Sequence, residues 1–193
     1  KNKCRNSLKT KVYRMIRTIL VATDGSDHAK KALTLASDLG AKYGAKLILL
    51  HVPLFNVGSE TLHAVATRSG LPKKLRDLLD NYEIDFQLGV ATAGMGTAGG
   101  AGFAPPPREL VAAIGQQIIA RAEKITSKAG VKKVTSMITE GDPADVILNT
   151  AAKCKADMII LGSRGLSDFK GLLFGSVSHK VSGQADCTCV TVK

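Results

Sequence analysis

Two separated glycine-bearing turns have the residue types to grip an anion. The first is Gly162-Ser163-Arg164-Gly165, which follows the apolar run of residues 157–161; nine residues later comes Gly175-Ser176. Glycine has no Cβ, so backbone N–H groups can turn into one concavity and an anion can approach the main chain closely. If Gly175-Ser176 opens a helix, the free N–H groups of its first turn and its positive dipole end pull on the same anion. Ser176 and Ser178 add hydroxyl donors, and Arg164 adds charge. The chemistry suits a polyphosphate. The second turn is Asp24-Gly25-Ser26, again directly after an apolar run, residues 17–23. Its carboxylate can accept from a ribose hydroxyl or, beside phosphate oxygens, hold Mg²⁺.

The elements that must carry these turns can be read from periodicity. Residues 17–23 and 45–52 are short, continuously apolar runs, as expected of strands buried on both faces of a parallel sheet. Between them, Ala29, Ala32, Leu33, Ala36, Leu39 and Tyr43 recur at helical spacing, with Ser26 or Asp27 as cap and Gly44 beyond the end. Strand, helix and strand make one βαβ unit. A short helix is expected around Pro72–Tyr82, and the charge-free stretch Leu88–Pro107, with six glycines and three prolines, reads as a flexible loop. Leu110, Val111, Ile114, Ile118 and Ile125 predict a long helix ended by Gly130. Residues 132–141 alternate like a peripheral strand, and Asp142-Pro143 starts the next helix with a cap and a proline at its first position. Residues 157–162, Ser176–Gln184 and Cys187–Val192 then give a strand, a short helix and a last strand. The reading is α/β: a five-stranded parallel doubly wound sheet. In such a sheet ligands bind beyond the strands' carboxyl ends, where the winding reverses, and both glycine turns fall there if strand 1 neighbours strand 4.

With its residues in this order, the chain resembles the universal stress protein family. The stretches ILVATDGSDHAKKAL, AKLILLHV, EGDPADVILNTAAKCKADMIILGSRG and GSVSHKVSGQADC carry the likeness, over about residues 17–52 and 108–193. The G-x-x-G, nine residues, G-[ST] spacing is that of the family's ATP-binding branch. The resemblance implies sheet order 3-2-1-4-5, a Rossmann-like fold of the adenine nucleotide alpha hydrolase kind, and bound ATP, with Mg²⁺ allowed as the nucleotide's own ion. It further implies that Asp24 faces the ribose or adenine edge and that Ala22, Thr23 and Val52 line the base. Gly162, Arg164 and Gly165 would wrap the phosphates, and Gly175, Ser176, Val177 and Ser178 would cap them. A homodimer joined through the last strand, Cys187–Val192, is implied too, although Cys187-Thr188 stands where the family often has Cys-Pro.

Composition narrows the classes. The chain has 193 residues, 45% hydrophobic and only 4% aromatic, enough for one substantial core built on aliphatic side chains. The expected organisation is a basic arm, residues 1–16, and a single domain, residues 17–193, with a flexible insertion at about 53–107. No apolar run is long enough for a membrane span, and no secretory signal is expected. The formal net charge is +11, but residues 1–17 carry seven Lys and Arg and no acid. Specific nucleic-acid binders usually carry their basic patch on the folded domain, whereas here the charge is concentrated in a tail, so no dedicated nucleic-acid binding is expected. Cys4, Cys154, Cys187 and Cys189 lack metal-like spacing and read as reduced thiols of a cytoplasmic protein.

Several motifs are decoys. Gly94 to Gly99 matches G-x-G-x-x-G, but three prolines precede any helix, so it is not a dinucleotide fingerprint. There is no P-loop, and the first turn is not the S-G-G-x-D-S of the pyrophosphatase-loop enzymes. His51 and His179 have no acidic or nucleophilic neighbour in sequence and read as structural, and Asp168 as solvated. Three functions remain open from sequence: an ATP-binding regulatory protein in a stress response, a weak ATPase or autophosphorylating phosphotransferase, and a nucleotide-free interaction dimer.

Overall fold

A computed structural model describes residues 16–53, 55, 62–63, 66, 72–93, 105–166 and 175–193, with the side chains of 85–93 excepted. The elements are β1 (Thr18–Ala22), α1 (Asp27–Tyr43), β2 (Lys46–His51), α2 (Lys73–Ala93), α3 (Arg108–Lys128), β3 (Val134–Ile138), α4 (Pro143–Cys154), β4 (Met158–Gly162), α5 (Ser176–Gln184) and β5 (Thr188–Val192). All four pairings are parallel and the sheet order is β3-β2-β1-β4-β5. The expected 3-2-1-4-5 order is therefore the observed one. Winding runs from β1 out to β3, then returns to β4 on the other side of β1. The reversal lies between β1 and β4.

Side chains alternate across each strand, which explains the unbroken apolar runs. Ile19 and Val21 of β1 and Leu47 and Leu49 of β2 pack with Ala32, Leu33 and Ala36 of α1 and with Ile119 and Ala122 of α3. Their alternates Leu20, Ile48 and Leu50 pack on the opposite face with Ala144, Ile147 and Ala151 of α4 and Val181 of α5. Burying one such Leu or Ile contributes about 1.5–3 kcal/mol, so this two-faced layer is the main source of stability. A third cluster lies off the sheet: Leu110, Ile114 and Ile118 of α3 with Leu62, Ala66, Leu79 and Tyr82, joined by Leu75 and Leu166.

Helix ends follow the sequence signals. Ser26 caps α1, its side chain accepting from Ala29 N, and Gly44 closes it in the left-handed region at φ 64°. Asp142 caps α4 with Pro143 behind it. Two expectations need correction. The helix expected over Pro72–Tyr82 runs to Ala93, so the first part of the stretch read as a loop is helical. Between Leu88 and Ala93 there is a single glycine, Gly89, costing about 1 kcal/mol relative to Ala, and the glycine-dense part starts at Gly94. Tyr43 also leaves the predicted buried stripe: it is 45% exposed at the end of α1. Residues 1–15, Gly94 to Gly99 and Asp168 lie outside the described residues.

Candidate functional site

Both turns singled out in the sequence emerge at the carboxyl end of the sheet, from the adjacent strands β1 and β4, which are in register at Ala22 and Leu161. The β1 turn is rigidly built. Thr23 is buried, its N–H donating to Leu50 O at 2.9 Å. Its carbonyl accepts from His51 Nδ1 at 2.8 Å. Asp24 then folds back on the chain, Oδ1 accepting from Ser26 N at 3.0 Å, while Gly25 takes φ +83°, a conformation glycine alone adopts cheaply. The other carboxylate oxygen, Oδ2, faces the β4 loop.

That loop reaches Asp24 through Gly165. A Cβ built on Gly165 would lie 2.7 Å from Asp24 Oδ2, closer than any real Cβ contact. Backbone and carboxylate meet because the side chain is missing. One turn back, Ser163 is the hub: its N–H donates to Val192 O at 2.7 Å, extending the β4–β5 ladder. Its carbonyl accepts twice, from Gly175 N at 2.8 Å and from Ser178 Oγ at 2.7 Å. The start of α5 is thereby pinned to the loop after β4, and Gly175 sits against the backbone of Arg164, 3.6 Å from its would-be Cβ. No side chain caps α5. Among the described residues, the first-turn N–H groups of Ser176, Val177 and Ser178 have no side-chain acceptor, at the end where a helix favours negative charge.

The structure thus brings Asp24, Arg164, Gly165, Gly175, Ser176, Val177 and Ser178 to one end of one switch point. Ala22 and Val52 pack in the same apolar cluster just beneath, at the ends of β1 and β2. Two of the expected residues have additional structural duties. A Cβ on Gly162 would come 2.8 Å from Ala29 N and 2.9 Å from the His28 carbonyl carbon, so this glycine lets β4 lie against the start of α1. The hydroxyl of Ser178 is engaged, donating toward the carbonyls of Ser163 and Gly175.

Sequence reasoning passed over three contributors. Ser163 is fully buried, and its Oγ has no hydrogen-bond partner, an unusual state for a buried hydroxyl beside a loop of this kind. Ile118 of α3 supports the β1 turn, 3.2 Å from where a Gly25 Cβ would be. Gly115 admits the His51 ring, whose Cδ2 would be 3.0 Å from a Cβ there. No local pattern marks these, because each acts across the fold. Burial holds the His51 imidazole below its ordinary pKa of 6.5, against the opposing pull of the Thr23 carbonyl and of Asp24. A neutral ring donating through Nδ1 follows, and His51 is a strut for the turn rather than a proton carrier. Among the described residues no group of three or more His, Cys, Asp and Glu could hold a metal ion.

Comparison with known proteins gives the same picture. The sequence model of the Universal stress protein family matches residues 15–81 and 88–193. Universal stress protein YxiE of Bacillus subtilis is 30% identical over 179 residues, covering 93% of this chain and all of that protein. A universal stress protein of Thermus aquaticus is 28% identical over 183 residues, covering 93% and 100%. Among solved structures, a universal stress protein in complex with cAMP superposes with TM-score 0.55 at 21% identity, covering 93% of this chain and 98% of that one. The universal stress protein from Archaeoglobus fulgidus in complex with dAMP gives TM-score 0.56 at 17% identity, covering 93% and 100%. These structural likenesses carry the fold.

Proposed function

The chain belongs to the universal stress protein family, and from that premise we propose that it is an ATP-binding regulatory protein of the cytoplasm. The triphosphate would lie across the loop of Arg164 and Gly165 and against the first-turn amides of Ser176, Val177 and Ser178. Asp24 would accept from the ribose, and Ala22, Thr23 and Val52 would border the base. The observation carrying this reading is the convergence of the two turns. Gly165 leaves room for its backbone at the Asp24 carboxylate, and Gly175 N is tied to Ser163 O at 2.8 Å. That geometry supports a nucleotide because it sets a ribose acceptor and an uncapped helix N-terminus on adjacent strand ends. The adenine nucleotides named for two structural relatives agree with it.

Binding is a better reading than catalysis. The carboxylate at the loop is tied into its own turn through Ser26 N, and the nearby histidine is buried, neutral and bonded to the main chain. The histidine is thus not free to act as a general base, and the carboxylate's remaining oxygen is the one that would accept from the ribose. Nucleotide occupancy would then act on shape or partner affinity. We further propose a homodimer through β5, an edge strand whose residues Cys189, Val190, Thr191 and Val192 are partly exposed.

Mass spectrometry of the small molecules released by heat from freshly purified protein tests the nucleotide. ATP or its breakdown products in near-stoichiometric amount are expected, together with a rise in melting temperature on adding ATP with Mg²⁺. A protein that releases nothing and whose melting is indifferent to millimolar ATP would refute the reading.

A further inference from the structure

Arg108 stands over the ring of Phe55, its guanidinium carbon 5.5 Å from the ring centroid. Three separate elements bring this group together. Phe55 follows β2, Arg108 opens α3, and Glu140, which follows β3, sets Oε1 3.8 Å from Arg108 Nη1. The last residues of α3 lead back to the start of β3, so its first residues stand at the carboxyl rim, the end that carries the nucleotide turns. The main chain there continues the sheet: Thr139 N donates to His51 O at 3.1 Å, one step past the last paired residues of β2 and β3.

Sheet order decides what this group can reach. The phosphate turns follow β4 and open α5, the ribose acceptor Asp24 follows β1, and β2 is next along the same rim. Phosphate, sugar and base of one nucleotide are joined in that order, and adjacent strands lie about 4.8 Å apart. The base of a nucleotide so held arrives at the end of β2. Phe55 is three residues beyond Val52, no more than about 11 Å away even in an extended chain. The described aromatic side chains are Tyr43, Phe55 and Tyr82. Tyr43 ends α1 at the opposite rim, and Tyr82 is buried in the third apolar cluster. Phe55 is thus the described ring left to meet a base, and it is only partly buried.

Helix electrostatics does not favour a cation at this place. The N-terminal end of a helix disfavours positive charge, and Arg108 is the first residue of α3. Its ion pair with Glu140 is worth little, since the two side chains are 83% and 60% exposed. What Arg108 has instead is a flat guanidinium set at an aromatic ring. Guanidinium planes and aromatic rings are the two protein surfaces on which unpaired bases stack, and here they stand together. Given a bound nucleotide, the premise on which this rests, we infer that Phe55 and Arg108 form the stacking surface for its base. Glu140 restrains the swing of the guanidinium. Stacking engages the π-face and not the hydrogen-bonding edge. The pair therefore supplies affinity for a base, while the choice between bases falls to Ala22, Thr23 and Val52 at its edge.

The chain contains no tryptophan, so Phe55→Trp introduces a single fluorophore at this surface. Saturating ATP should quench its emission, whereas inorganic tripolyphosphate, which has no base, should leave it unchanged. In calorimetric titrations of the full chain, Phe55→Ala should weaken ATP binding at least about fivefold. Phe55→Leu keeps apolar bulk without a π-face and should bind as weakly as Phe55→Ala, while Phe55→Tyr should bind like the parent. Arg108→Lys keeps the charge without the plane and should weaken ATP in the same direction. Melting curves establish that the variants fold. A parent protein that binds no ATP removes the nucleotide and this surface together. If the parent binds, unaltered affinity in Phe55→Ala or Arg108→Lys, or recovery in Phe55→Leu, overturns the stacking surface alone. So does emission from Phe55→Trp that ATP does not move. Equal quenching by ATP and tripolyphosphate also overturns it, because the fluorophore would then be sensing loop movement and not a base.

Discussion

Asp24 and Gly165, 141 residues apart in the chain, meet so closely that a methyl group on the glycine would lie 2.7 Å from the carboxylate Oδ2. Each half of the site is ordinary by itself, an Asx turn and a glycine bend. Their meeting makes the constellation, and it can be broken without touching the core. In Gly165→Ala the new Cβ meets the far end of a side chain, which can swing aside at the expense of its bond to Ser26 N. We expect a stability loss of at most about 1 kcal/mol and at least a tenfold loss of ATP affinity. Calorimetric titration against ATP, beside a melting curve, checks both.

Gly162→Ala should behave in the opposite way. Its Cβ would meet backbone, Ala29 N at 2.8 Å and the His28 carbonyl carbon at 2.9 Å, and neither can rotate out of reach. Overpacking of this kind costs about 1–3 kcal/mol. A fall in melting temperature of roughly 2–10 °C is expected for a chain of this size. A melt unchanged within 1 °C or so would show that β4 and α1 have slack at their contact.

Ser163→Ala separates the backbone of the hub from its hydroxyl. The Oγ is buried without a partner, while the carbonyl and N–H make the hydrogen bonds that hold α5 and β5. Removing an unsatisfied buried hydroxyl should leave the nucleotide-free protein as stable as before or more stable, by up to about 1 kcal/mol. If a ligand group bonds to that hydroxyl, the thermal shift produced by ATP will shrink. A variant that melts well below the parent would mean that the hydroxyl has a partner in solution.

The acid limb of stability should report His51. Its folded pKa lies below 6.5, chiefly because burial disfavours the imidazolium. The unfolded chain therefore binds the proton more readily. The stabilisation is complete above about pH 6.5 and declines as pH falls from there toward the folded value. Denaturant midpoints measured between pH 8 and pH 5 should show this decline. In His51→Asn, whose amide can still donate to the Thr23 carbonyl, the slope over that interval should flatten. An identical slope in the variant would assign the acid sensitivity to other groups.

Most of the sheet could be read from residue type alone, because a strand covered on both faces has little choice but Val, Ile, Leu and Ala. The runs at 17–23, 45–52 and 157–162 are such strands, and their glycine-bearing ends locate the site. The middle of the chain was less legible. In residues 88–107 composition averages over a helix end and a glycine-dense stretch, so the helical part up to Ala93 was hidden by its neighbours. Ile118, Gly115 and the Ser163 hub were invisible for another reason: each has meaning only through a partner more than ten residues away.

The third apolar cluster has a consequence for how this protein tolerates change. Leu166, the residue following the Gly165 bend, shares that cluster with Leu62, Ala66 and Leu79, and also with Ile118, which props Gly25. The two turns that meet at Asp24 and Gly165 thus rest on a common apolar cushion contributed by residues far from both glycine motifs. Exchanges among those aliphatic residues can shift how the two turns sit against each other while every glycine stays in place.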